Sequence, residues 1–404
     1  MTHRERALSE SELAQRILVV SAVIHRRWRG RLYGYTPYVR EVDAWSHLFN
    51  EVRIIGPVID GPPPDDCAPF SSENVAIVDV PATGGDTLVA KAAQALRVPL
   101  LALHLIRQMN WADAIQVRSP SNLGVVALPL APLFSQRLHC KYAGMWGAFD
   151  GEPFSSRFQR RILVSSWWRG PVSVYGPAST DPPKVHDSFS TALTKAQLAV
   201  PRPTDDRPAG SPARVLFVGR LSEAKNVDAV IRAVTNLEQS GVRCTLEVIG
   251  DGPMRAALEA LVAETELGDA VTFRGALPVD EVLSAYRRSD FLALVSESEG
   301  WPKVIVEAMA FGVVVIGNDR GLVPRIVEDG RGYSIPPGDA QSLARVITDL
   351  VGDPQVRRLV ADRASTWARP FSLEYFADDL RRLLDESWPS SKANSADQQG
   401  SDPS

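Results

Sequence analysis

The chain reads as an α/β protein of two doubly wound, Rossmann-like domains with a cleft between them, and three observations predict it. Short apolar runs alternate with helical patterns in both halves, which implies parallel sheets covered on both faces. A Pro-rich polar stretch near the middle divides the chain into halves of similar size. With 404 residues, 45 % of them hydrophobic, the chain exceeds one ordinary core and suits two.

In the first half, Ile17-Leu18-Val19-Val20, Val52-Arg53-Ile54-Ile55, Val75-Ala76-Ile77-Val78, Pro99-Leu100-Leu101-Ala102-Leu103 and Ala114-Ile115-Gln116-Val117 read as strands. Each is a short run rich in aliphatic residues, with helical patterns between several of them. The basic run Arg26-Arg27-Trp28-Arg29-Gly30-Arg31 reads as a loop, either plainly solvated or turned toward an anionic acceptor or a lipid surface. The most apolar window, Leu123 to Phe134, holds Pro129 and Pro132 and is too short to cross a bilayer. The opening Met1-Thr2-His3-Arg4-Glu5-Arg6 has no signal-peptide core.

The segment from Pro201 to Pro212 lacks apolar periodicity and reads as a linker. Beyond it, Val215-Leu216-Phe217-Val218, Leu246-Glu247-Val248-Ile249, Val271-Thr272-Phe273, Phe291-Leu292-Ala293-Leu294-Val295 and Val313-Val314-Val315-Ile316 are expected strands. Val227, Val230, Ile231, Val234 and Leu237 recur at helical spacing after the first, and Met254, Leu258, Leu261 and Val262 after the second. A further helix starts near Pro302. Leu373, Phe376, Ala377, Leu380, Leu383 and Leu384 form one helical stripe with Ser372 as N-cap, expected to cross back onto the first domain. The expected organisation is a first domain over 1–199, a linker over 200–213, a second domain over 214–369, the returning helix over 370–387 and a disordered Ser/Asp/Gln-rich tail over 388–404.

Composition narrows the function. Lys and Arg number 44 against 48 Asp and Glu, a formal charge of −4, which disfavours general nucleic-acid binding. Three scattered cysteines, Cys67, Cys140 and Cys244, make neither a disulfide framework nor a zinc motif, and a reducing, cytoplasmic setting fits them. Contact at a membrane surface stays open.

Three segments carry chemistry. Gly219-Arg220-Leu221-Ser222-Glu223-Ala224-Lys225-Asn226 follows a strand and opens a helix, where backbone N–H groups and the helix dipole favour an anion. Arg220 can fork onto phosphate oxygens and Lys225 adds a point charge, although two solvated cations would look the same. Gly250-Asp251-Gly252-Pro253 permits a tight turn and close ligand approach, or is turn chemistry alone. In the third, Glu299 and Gly300 lie on a loop, Pro302 starts a helix and Glu307 falls about one and a half turns in, flanked by apolar residues. Two carboxylates at different depths can hold two different hydroxyl groups. A carboxylate in so apolar a helix needs a specific partner.

Together these segments resemble the donor half of retaining glycosyltransferases of family 4, of the GT-B fold. The matching pieces are Gly219-Arg220-Leu221 with Lys225-Asn226, the Gly250-Asp251-Gly252-Pro253 turn, and the Glu299/Glu307 pair followed by Ala308-Met309-Ala310 and Gly312, over roughly residues 214–368. The resemblance implies transfer of a hexose-type sugar from a nucleotide-diphosphate sugar to an acceptor hydroxyl, with no metal and no further cofactor. Arg220 and Lys225 would neutralise the pyrophosphate. Glu299 would touch the sugar, helped by N–H groups around Gly300, Trp301 and Lys303. Glu307 would bind the ribose, and Arg274-Gly275 would lie near the base.

The first half departs from that family. The segment Leu32-Tyr33-Gly34-Tyr35-Thr36 is the nearest substitute for its glycine loop, which nominates Gly34 and Tyr35. Lys184-Val185-His186-Asp187-Ser188 stands where a Pro-Asn-Gly-Val-Asp segment is usual. His104, at the expected end of the 99–103 strand, is a candidate for orienting sugar or acceptor, with a structural role as the alternative. Trp146, Trp167 and Trp168 suit either sugar stacking or packing. The acceptor stays open among polysaccharide, glycolipid and small natural product. A nucleotide-sugar epimerase, a phosphorylase and a non-catalytic binding protein on the same fold are the competing readings.

Overall fold

The computed structural model describes residues 15–81, 88–148, 151–176, 183–200, 210–265, 267–297 and 299–388, with side chains of the helix opening at Leu88 described from residue 98. The opening hexapeptide, most of the expected linker (201–209) and the expected tail from 389 lie outside the described residues. The chain divides into two compact units, Met1–Phe189 with Phe376–Ser404, and Ser190–Tyr375.

The first unit runs β1 (Arg16–Val20), β2 (His25–Trp28), β3 (Arg31–Tyr35), α1 (Thr36–Ser46), β4 (Glu51–Gly56), β5 (Val58–Asp60), β6 (Cys67–Pro69), β7 (Val75–Asp79), α2 (Leu88–Met109), β8 (Ala114–Ser119), α3 (Asn122–Leu130), β9 (Arg137–Tyr142), α4 (Phe154–Val164), β10 (Val172–Tyr175) and β11 (Val185–Ser188). Its seven-stranded sheet is parallel throughout, in the order β11-β10-β9-β8-β1-β4-β7. One sheet face is apolar: Ile115, Val117, Leu138, Cys140 and Tyr142 pack with Leu105 and Met109 of α2 and Leu123 and Ala127 of α3.

The other face carries alternate residues of the same strands, and these are polar: Gln116, His139, Lys141 and Ser173, all buried. Glu41 of α1 sits among them, with its carboxylate 2.7 Å from the Lys141 ammonium and 2.8 Å from the Arg118 guanidinium. Residues after Phe376 close this face. The Lys141 ammonium lies 4.3 Å from the Phe376 ring centroid, and the Trp388 indole donates to the Leu138 carbonyl at 2.9 Å.

Two expectations for this half are corrected. Residues 99–103 are not a strand but the middle of α2. A five-residue apolar run cannot distinguish the two states. The buried pair Leu105 and Met109, four apart, sets the helix, and Leu100 and Leu103 face outward. The basic run is not a loop but a hairpin, β2 pairing antiparallel with β3. Arg29 and Gly30, at φ 48° and 75°, give the two left-handed positions that a two-residue turn requires. This hairpin belongs to a small sheet of order β5-β2-β3-β6. Residues 185–188 form the edge strand β11.

The second unit continues with α5 (Lys195–Ala199), β12 (Ala213–Val218), α6 (Val227–Gln239), β13 (Cys244–Ile249), α7 (Arg255–Glu264), β14 (Val271–Gly275), α8 (Val279–Arg288), β15 (Phe291–Leu294), α9 (Lys303–Ala310), β16 (Val314–Asn318), α10 (Val323–Val327), β17 (Gly332–Ile335), α11 (Ala340–Gly352) and α12 (Pro354–Ala368). The last helix, α13 (Leu373–Ser387), begins in this unit and ends in the first. The sheet is parallel, in the order β14-β13-β12-β15-β16-β17. Leu216, Phe217, Val248, Leu292, Ala293, Val315 and Ile316 have no exposed surface, as expected for strands covered on both faces. Strand order reverses between β12 and β15. At such a switch point the two following loops diverge and leave a crevice at the carboxyl ends of the strands.

Candidate functional site

Lys225 and Glu299 are supplied by the two loops that flank this switch point. After β12 the chain makes a short 3-10 turn, Glu223–Lys225, and Asn226 adopts φ 50° before α6 begins. The Asn226 side-chain amide donates to the Val295 carbonyl at 3.0 Å and to Glu297 Oε1 at 3.2 Å. The Glu297 amide donates to the Ala224 carbonyl at 2.8 Å. These bonds fix the loop after β12 against the loop after β15. Across that seam the Lys225 ammonium meets Glu299 Oε1 at 2.5 Å, with side chains 25 % and 13 % exposed. The buried Asn318 donates to the Ser296 carbonyl at 2.8 Å. Gly321, at φ 63°, brings the loop after β16 so close that a Cβ there would lie 2.4 Å from the Glu299 carbonyl oxygen.

The glycine turns serve this assembly. The Gly219 amide donates to the Ile249 carbonyl at 3.0 Å, and the Gly250 amide to the Gly275 carbonyl at 2.8 Å. A Cβ at Gly250 would stand 1.9 Å from the Gly219 carbonyl oxygen, and one at Gly252 would stand 2.3 Å from that of Leu221. Side chains are excluded because the two loops cross backbone to backbone. Gly250 and Gly252 therefore let the loop after β13 lie against the loop after β12.

The other expected residues fall into place unevenly. Arg220 is exposed on the loop that carries Lys225, and no protein group among the described residues holds its guanidinium. Arg274 is already shared by Glu247 at 3.4 Å and Glu281 at 3.6 Å. Glu307 lies on α9, where its Oε2 accepts from the Tyr286 hydroxyl at 3.2 Å. Tyr286 is the partner that the apolar helix demanded. Of the loop N–H groups, that of Lys303 is committed to the Trp301 carbonyl at 3.0 Å. Trp301 packs against Phe371 and donates its indole N–H to the Ser190 carbonyl at 2.7 Å, and Pro302 is buried where α9 begins. These two residues anchor the helix. The sequence missed Glu297, Arg320 and Asn318; Arg320 pairs with Glu297 at 2.9 Å. Only the fold joins loops so distant in sequence.

Three candidates lie in the first unit. His104 is exposed on α2, ten residues before β8 rather than at the end of a strand, so the premise of its assignment is removed. Gly34 is not in a loop but in β3, where a Cβ would meet Val39 at 3.1 Å, and Tyr35 is 46 % exposed at the strand end. Trp168 is fully buried, Trp146 packs edge-on to Tyr142 at 5.0 Å, and Trp167 donates to the Pro129 carbonyl. Packing accounts for Trp168 and Trp146, whereas Trp167 is 47 % exposed.

Electrostatically the units differ. Burial lowers His139 to about 3, assisted by the nearby Lys141 and Arg118 charges. Burial also lowers His25 to about 4, against a hydrogen bond to the Pro57 carbonyl. Burial raises the Glu41 carboxyl, but Lys141 and Arg118 outweigh it and hold the group well below the usual carboxylate range. Among the described residues no group of three or more His, Cys, Asp or Glu side chains is placed to hold a metal ion, and no helix is long and apolar enough to cross a membrane.

Residues 204–367 match the family model of glycosyl transferases group 1. Among curated proteins, the chain is 32 % identical over 205 residues to an alpha-D-kanosaminyltransferase of Streptomyces kanamyceticus, covering 50 % of this chain and 52 % of that one. It is 33 % identical over 146 residues to the amylovoran biosynthesis glycosyltransferase AmsK of Erwinia amylovora, covering 34 % and 36 %. The chain thus spans about half or less of the length of these relatives. Among solved structures it resembles sucrose-phosphate synthase from Thermosynechococcus elongatus, with a TM-score of 0.70 at 19 % identity over 92 % of this chain and 98 % of that one. It also resembles Anabaena HepE in complex with UDP and glucose, with a TM-score of 0.67 at 17 % identity over 92 % and 100 %. These likenesses show the GT-B fold.

Proposed function

We propose that this chain, whose residues 204–367 belong to the glycosyl transferases group 1 family, is a glycosyltransferase that moves a hexose-type sugar from a nucleotide-diphosphate sugar to an acceptor hydroxyl with retention of configuration. One observation carries the reading. At the strand-order switch point a lysine and a glutamate from different loops meet at 2.5 Å, and an exposed arginine, with no protein partner among the described residues, stands on the lysine's loop. Such a crevice offers cations for a diphosphate and a carboxylate for hydroxyl groups.

The mechanism follows from charge. As the sugar leaves, negative charge builds on the β-phosphate, and Arg220 and Lys225 stabilise it where a metal ion would otherwise serve. The departing phosphate oxygen takes the proton of the acceptor hydroxyl, which attacks from the face that the nucleotide leaves. Glu299 accepts hydrogen bonds from sugar hydroxyls, while Glu307, steadied by Tyr286, accepts from the ribose. Gly275 and Arg274 lie toward the base.

The first unit would receive the acceptor. The small sheet's register puts Arg26, Trp28, Arg31, Tyr33 and Tyr35 on one face, which suits an anionic glycan or a lipid-linked acceptor. The reading includes a cytoplasmic protein, peripheral at most to a membrane, in synthesis of a cell-surface polysaccharide, glycolipid or glycosylated natural product. The names of its relatives support that range.

A thermal-shift screen of nucleotide sugars tests the donor half of this reading, because a ligand that binds only the native state raises its melting point. One donor is expected to do so, and NMR of the transferred sugar should then show the donor's anomeric configuration. Absence of any shift, or an inverted product, would sink it.

A further inference from the structure

The Lys225–Glu299 pair has a consequence for which ligands the crevice accepts. A carboxylate already occupies the ammonium on which a phosphate would settle. Asn226, the Glu297 amide and Gly321 hold the backbone on both sides of the pair, which keeps the two side chains within reach of each other. The neighbouring Glu297 is differently placed, shared between Arg320 and Asn226. Glu299 has Lys225 as its charged partner.

We propose that Glu299 is an internal stand-in for the diphosphate, and that it makes the crevice prefer an intact nucleotide sugar over the nucleoside diphosphate left after transfer. This rests on the donor reading above. An incoming diphosphate draws the Lys225 ammonium, proton included, away from the carboxylate. If the diphosphate carries a sugar, its hydroxyls donate to the freed Glu299 and both ends of the broken pair are satisfied. If it does not, a part-buried carboxylate is left without its cation and faces phosphate oxygens of like charge. The discrimination thus contains a repulsive element as well as an attractive one. After transfer the same carboxylate reclaims Lys225 and helps to expel the product.

Isothermal titration of UDP, GDP, ADP and dTDP, and of their glucose conjugates, into the full chain tests this. In Glu299→Gln the charge is removed while the amide can still bond to hydroxyls. The diphosphate that binds wild type should bind this variant about tenfold more tightly, about 1.4 kcal/mol. The matching nucleotide sugar should gain nothing, so the preference for it shrinks or reverses. Glu297→Gln removes an equal charge nearby and should change diphosphate affinity less than twofold. Equal gains in the two variants, or unchanged diphosphate affinity in Glu299→Gln, overturn the exchange while leaving the donor reading intact. Wild type that binds neither series overturns both. Glu299→Ala is read in the same way if the glutamine variant does not fold.

Discussion

Both units are parallel sheets whose strand order reverses once, yet they use their switch points in opposite ways. In the second unit the reversal lies between β12 and β15, and Lys225 and Glu299 meet there at a partly exposed seam. In the first unit it lies between β1 and β8, where Ser21 and Ser119 are buried. His25 from the β2 hairpin lies 5.7 Å from the Tyr38 ring, and the Arg118 guanidinium lies over Tyr38 at 4.9 Å. Packing closes that position. Interiors differ too. Among the described residues, His25, Glu41, His139, Lys141 and Glu152 are buried in the first unit, whereas among His, Lys, Arg, Asp and Glu only Asp290 is buried in the second. Topology alone therefore does not leave charges at a switch point within reach of solvent; the loops that follow its strands decide it.

The sharpest way to break this comparison is to remove a buried charge from the first unit. Glu41→Ala removes the carboxylate that the Lys141 ammonium, whose side chain is 3 % exposed, shares with the Arg118 guanidinium. We expect a loss of about 3–5 kcal/mol, the usual cost of stripping one partner from a buried ion pair. Urea unfolding measures it. A loss below about 1 kcal/mol would mean that the triad is wetter than its geometry indicates.

The same contrast explains what could be read from sequence. Strands β12, β15 and β16 announce themselves as apolar runs because helices cover both faces of their sheet. In β9, Arg137, His139 and Lys141 alternate with Leu138, Cys140 and Tyr142, since one face lies against a buried polar layer. No apolar run exists there, and β9, β10 and β11 went unread. β17 is a four-residue edge strand beginning with Gly332, too short and mixed to register. Lys225 and Glu299 were legible because loop glycines and a helix start surround them. Tyr286 was not, since its contact with Glu307 crosses from α8 to α9 in space. His104 shows the converse: it was placed at a strand end by a run that is helical.

Lys225→Ala should invert the pattern of Glu41→Ala. The pair it breaks is partly exposed, so folding stability should change by no more than about 1 kcal/mol. Turnover should fall about 10²–10³-fold, because a donor aimed at developing charge is lost. Measuring urea stability and single-turnover rate on both variants separates the units: one variant loses the fold, the other the chemistry. A Lys225→Ala enzyme with near-normal turnover would remove the lysine from the mechanism.

Acidification gives the most continuous test. His25 and His139 are held neutral in the folded first unit, at about 4 and about 3, whereas an unfolded histidine titrates near 6.5. The unfolded chain thus binds more protons below that value, so stability is complete above about pH 6.5 and declines as pH falls toward the folded values. Each histidine contributes a slope of about 1.4 kcal/mol per pH unit once its unfolded form is largely protonated. Glu41, held well below its unfolded value of 4.5, adds to the loss at still lower pH. The His139 ring has Nδ1 2.8 Å from the Gln116 side-chain nitrogen and Nε2 2.9 Å from Ser173 Oγ, within a buried layer where the Lys141 and Arg118 charges disfavour its charged form. Urea unfolding between pH 7 and pH 5 should therefore show a falling first-unit stability, and His139→Asn should make that fall shallower even if it lowers the whole curve. An equal slope in wild type and variant would show that this histidine charges freely in the fold, and the polar layer would then be no different from the open seam at Lys225.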